Sequence, residues 1–82
     1  MNILVIDNDP SALEALAAHL RETAPGGRVL TFTDPLLAVK YGYNNPVDAV
    51  YAKTVMRGLS GDDVARLLRN VHPNLRVELL EA

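Results

Sequence analysis

Apolar residues along this chain alternate between short unbroken runs and stripes at helical spacing. Ile3, Leu4, Val5 and Ile6 form a continuous run, the mark of a strand covered on both faces. Asp9-Pro10 follows, a good N-cap and then a proline suited to the first helical position. Leu13, Leu16, Ala17 and Leu20 recur at i, i+3, i+4, i+7 on one helix face, and "APGG" at 24–27 stops that helix. "RVLTFT" at 28–33 is β-branched and aromatic and predicts a second strand. Asp34-Pro35 repeats the cap-plus-proline device and opens a second helix, through Tyr43, which "NNP" at 44–46 ends. Val47 to Ala52 predicts a third strand. Ser60 caps a third helix, with Asp63 three residues on in a capping-box position. Val64, Leu67, Leu68 and Val71 form its stripe, and "HPN" at 72–74 closes it. Leu75 to Leu80 is the fourth strand.

The resulting order, βαβαβαβ, argues for an α/β protein whose parallel strands are joined by right-handed helical crossovers. In open parallel sheets, function collects at the carboxyl ends of the strands. Here those ends carry Asp7-Asn8-Asp9, Thr33-Asp34, Lys53-Thr54 and Glu81-Ala82, a group rich in ionisable side chains. Lys53 stands out, because it puts an ammonium where a strand leaves the apolar interior.

At 82 residues the chain makes a single domain, 1–82. Hydrophobic residues at 49% and charged ones at 22% give a globular composition. Eight basic and ten acidic side chains leave a net charge of −2 with no basic cluster, so nucleic-acid binding has no electrostatic footprint. Cysteine is absent, which excludes disulfides and thiolate metal sites. No apolar stretch approaches the roughly 18 residues that span a bilayer, and "MNILVIDNDP" has no basic segment before its apolar run. The expectation is a soluble, cytoplasmic protein without a membrane partner.

Candidate chemistry is sparse. Neither GxGxxG nor GxxxxGK[ST] occurs, and "GLSG" at 58–61 is turn chemistry, so a small nucleotide-binding α/β protein lacks its fingerprint. His19 and His72 have no partner at metal-ligand spacing and are read as surface or packing residues. No Ser-His-Asp set falls on strand ends. The chain is expected to be no enzyme and to carry no cofactor and no metal.

The whole chain resembles a response-regulator receiver domain, the CheY-like, flavodoxin-like signalling fold. "ILVIDNDPSALEAL" is similar to the receiver start, where an acidic pair follows strand one. "NPVDAVYAKTVMRGLSGDDVARLLR" is similar to the receiver pattern around strand three, and "HPNLRVELLEA" to the fourth strand. The resemblance implies a three-layer open parallel sheet of strand order 2-1-3-4, lacking the fifth strand and last helices of a full receiver. In the family, an aspartate ending strand three accepts a phosphoryl group from a histidine kinase, the acidic pair helps hold Mg²⁺, and a strand-four Thr or Ser senses the phosphate. Carried onto this chain, Asp7 retains the first acid, Asn8 replaces the second, Lys53 takes the acceptor position and Glu81 the Thr/Ser position, while Arg57 replaces the usual proline. The implied strand order sets Lys53 between Asp7 and Glu81. An ammonium between two carboxylates replaces the cation that would otherwise relieve their repulsion, and it removes the acceptor.

The expectation is therefore a receiver-like module that takes no phosphoryl group, re-purposed or engineered, acting by protein–protein contact or self-association. The alternative is a phosphorelay receiver by lineage, with a histidine kinase or an output domain as partner. With no strand beyond the fourth, Leu75, Arg76, Val77, Glu78, Leu79 and Leu80 form an open edge, and a homodimer is expected. Arg76 and Glu78 are unusual in a strand buried on both faces, and antiparallel pairing of two such edges lets Arg76 meet Glu78 of the copy. A second dimer mode packs the uncovered sheet face on its copy, helped by Leu13, Leu16 and Leu20 of helix one.

Overall fold

A computed structural model of the chain describes residues 1–24 and 26–81; the helix stop at Pro25 and the strand-end Ala82 lie outside the described residues. Strand β1, Asn2–Ile6, places four consecutive apolar side chains out of water, as an unbroken aliphatic run requires. Asp9 caps helix α1, Pro10–Thr23, accepting from the Ser11 N–H with Pro10 in the first turn. Strand β2, Arg28–Phe32, leads to Asp34, which caps helix α2, Pro35–Asn44, by accepting from the Leu36 N–H. Both Asp-Pro pairs thus work as read.

The later boundaries shift by a residue or two. Strand β3 is Ala49–Lys53, so Lys53 is its last residue, and Val47 is buried just ahead of the strand. Ser60 caps helix α3, Gly61–Arg69, and its hydroxyl accepts from the Asp63 N–H at 3.1 Å. The helix ends at Arg69, before the last member of its expected stripe, and Val71 is therefore exposed. The Asn70, Val71 and His72 N–H groups instead close turns onto Leu67 and Leu68 carbonyls ahead of Pro73. Strand β4 is Arg76–Leu80, with Leu75 buried at its start.

The four strands form one parallel sheet of order β2-β1-β3-β4, the order that the resemblance implied. Helices α2 and α3 cover one face, where Leu4, Ile6, Val50 and Ala52 pack with Ala38, Val64 and Leu68. Helix α1 covers the other, where Ile3, Val5 and Ala49 meet Leu13 and Leu20. Leu13 and Leu20 are about 5% exposed and Leu16 packs against the same cluster, so this apolar stripe is occupied within the chain. The helix residues named for the second dimer mode are thus seated on the chain's own sheet.

Arg76 and Glu78 are exposed on the α1 side of β4, beyond the reach of α1. A depression of about 190 Å³ lies there, lined by Ile3, Leu20, Ala49, Tyr51, Arg76 and Glu78 among others. No helix of the described residues is long and apolar enough to cross a membrane.

Candidate functional site

Parallel strands bring their carboxyl ends to one edge, so Asp7, Lys53 and Glu81 follow β1, end β3 and follow β4 side by side. Asp7 is the buried charged residue of the described chain, at 8% exposure. Its backbone N–H continues the β1–β2 ladder by donating to the Phe32 carbonyl at 3.1 Å. Its carboxylate turns into the following loop, where Oδ1 accepts from the Asp9 N–H at 2.9 Å.

Asn8 does more than the sequence disclosed. Its Nδ2 donates to the Thr33 carbonyl at 2.9 Å, and its Oδ1 accepts from the Arg57 N–H at 2.6 Å. One amide therefore ties the loop after β1 to the loops after β2 and β3. An aspartate has acceptors only and could not make both bonds. The Arg57 side chain is exposed, but its backbone N–H is held. The loop after β3 is also fixed at its flanks: Thr54 N–H donates to the Leu80 carbonyl, and Gly61 N–H to the Thr54 carbonyl.

Lys53 is half-buried and stands opposite Leu80 in register. It shares a recess of about 370 Å³ with Thr54, Val55 and Glu81. The strand order does set it between Asp7 and Glu81, yet among the described residues the ion pair formed is Arg66–Asp63, at 2.9 Å. The expected Asp7–Lys53–Glu81 pairing is thus corrected to neighbours that form no ion pair. The Asp7 carboxylate is turned onto Asp9 N–H, and lysine carries its charge at the end of a four-carbon stem, away from its own backbone.

These donors do not fit a divalent cation. Such an ion takes several oxygen ligands of net negative charge. Here one carboxylate remains, the neighbouring amide is spent at both ends, and the third position brings an ammonium. No group of three His, Asp or Glu side chains able to hold a metal gathers among the described residues. The Arg66 guanidinium first, then the Ser60 hydroxyl and backbone, hold the Asp63 carboxyl below the usual range.

No family model matches the chain, and no curated protein matches it. Solved structures do. TrrA, a response regulator protein from Thermotoga maritima solved in complex with Mg²⁺-BeF, is 30% identical, with a TM-score of 0.87 over 99% of this chain and 69% of its own. A response regulator receiver domain protein from Clostridium thermocellum is 28% identical, with a TM-score of 0.82 over 98% of this chain. The MaeR response regulator bound to beryllium trifluoride shares the fold at 20% identity and a TM-score of 0.85. The chain spans 64% of the length of the Clostridium protein.

Proposed function

Because this chain belongs to the response-regulator receiver family, we propose that it is a receiver module of two-component signalling type that accepts no phosphoryl group and acts through protein–protein contact. The observation that carries this reading is Lys53 as the last residue of β3, at the position where the family resemblance places the phosphoacceptor. An ammonium has no lone pair with which to attack phosphorus, and a lysine offers no carboxylate to become an acyl phosphate. The module performs no catalytic step of its own.

Two further features support a fixed rather than a switched site. Asn8 closes three loops with neutral hydrogen bonds, where the family uses an acidic residue beside a metal ion. Surfaces for contact are present: Leu36, Leu37 and Tyr43 are exposed on α2, Val55 is 82% exposed in the loop after β3, and the outer edge of β4 has no partner strand among the described residues. Such surfaces suit a signalling partner, whether kinase or output domain, and a second copy of this chain.

Beryllofluoride, an anion with the shape of a phosphoryl group, tests the site directly. With Mg²⁺ present, the amide NMR spectrum of the unmodified chain is expected to stay unchanged around Asp7 and Lys53. The double variant Lys53→Asp, Asn8→Asp gathers three carboxylates and is expected to gain Mg²⁺-dependent shifts there. Saturable shifts at Asp7 and Lys53 in the unmodified chain would overturn the reading.

A further inference from the structure

Helix α2 is stopped by Pro46, and its last carbonyls are served by side chains. The residue before a proline is steered out of the helical region, and Asn45 is extended, at φ −143° and ψ 155°. Proline also lacks an N–H, so the Gly42 carbonyl has no backbone donor at i+4. No basic residue stands in the last turn of α2 to take that place. Neutral side chains do so instead. Asn44 Nδ2 donates to the Lys40 carbonyl at 2.8 Å, Asn45 Nδ2 to the Tyr41 carbonyl at 3.0 Å, and His72 Nε2 bonds the Gly42 carbonyl at 2.6 Å. The first two donors are local, whereas the third comes from 30 residues away.

His72 reaches this carbonyl because α2 and α3 touch. Gly42 is buried, and a Cβ there would meet the fully buried Leu68 of α3, so the missing side chain lets the two helices close. The main chain of His72 is then held on both sides. Its N–H donates to the Leu68 carbonyl at 2.8 Å, and its carbonyl accepts from the N–H of Leu75, just ahead of β4, at 3.1 Å. We infer that His72 is a latch: a C-cap lent to α2 by the turn between α3 and β4, working with its ring proton on Nε2. A carbonyl oxygen only accepts, so the ring nitrogen that faces it is the donor. His72 thereby joins α2, α3 and the start of β4 through three separate hydrogen bonds. Its counterpart is Asn8, which holds the Thr33 carbonyl at the other end of α2, just ahead of the Asp34 cap. Helix α2, with Leu36, Leu37 and Tyr43 exposed along it, is therefore pinned at both ends. The latch is a property of the fold and stands whichever partner the module meets.

The ring tautomer tests the latch on the unmodified chain. At about pH 8.5, where an ordinary imidazole is neutral, nitrogen NMR is expected to show His72 protonated at Nε2 and bare at Nδ1. A neutral ring protonated at Nδ1 would overturn the inference. His72→Leu and His72→Gln then separate the hydrogen bond from packing, because the two side chains are of similar size and glutamine alone can donate. His72→Leu is expected to speed hydrogen exchange of the Tyr43 and Asn44 amides by about tenfold relative to the amides of β1. His72→Gln is expected to speed it less. Equal acceleration in the two variants, or none in either, would overturn the latch and leave His72 a packing residue.

Discussion

At the scale of single residues, Asn8 shows how one side chain can tie three loops together. Its amide gives one donor and one acceptor, and the two bonds point at loops 25 and 49 residues away. Asn8→Asp removes the donor and sets a carboxylate against the Thr33 carbonyl. The variant is expected to lose about 1–2 kcal/mol of stability, read as a lower denaturant midpoint with an unchanged slope. Asp63 gives a pH-dependent counterpart. Its folded carboxyl titrates below the unfolded value because Arg66, and then Ser60, favour the charged form. The stabilisation is therefore present above the unfolded pKa and lost as pH falls through the folded one. Arg66→Ala is expected to move the Asp63 titration upward, as followed by carboxyl carbon NMR, and an unmoved curve would contradict that cause.

At the scale of elements, the capped starts were legible, as were the ends of α1 and α2, but the end of α3 was not. Asp9-Pro10, Asp34-Pro35 and Ser60 each combine a side-chain acceptor with its local N–H, a short-range relation that spacing alone reveals. The end of α3 depends instead on long-range contact. His72 Nε2 bonds the Gly42 carbonyl at 2.6 Å, fixing the turn after α3 to the end of α2, so Val71 leaves the helical stripe. Close approach also explains two glycines. A Cβ at Gly42 would run into the fully buried Leu68, and one at Gly61 would meet the Lys53 carbonyl and Leu79. The Gly61 clash is with backbone, which cannot swing aside. Gly61→Ala is expected to cost about 1–3 kcal/mol in equilibrium unfolding, and a loss below a few tenths would mean that α3 starts further from β3.

At the scale of the whole molecule, the parallel sheet was legible because both-face burial and alternating periodicities survive in the residues themselves. The resemblance added the strand order, and the coordinates agree with it. The site was legible in part. Asp7, Lys53 and Glu81 do gather at one edge, as strand ends must, but their expected ion pairing does not form, because side-chain direction is set by turns that no spacing encodes. The loop-tying role of Asn8 was hidden for the same reason. What unites these scales is the proposed reading of a receiver fold with Lys53, the last residue of β3, at the acceptor position. Intact mass of the chain after incubation with acetyl phosphate and Mg²⁺ tests that claim most directly. The account predicts an unchanged mass, whereas a stoichiometric gain of one phosphoryl group would contradict it.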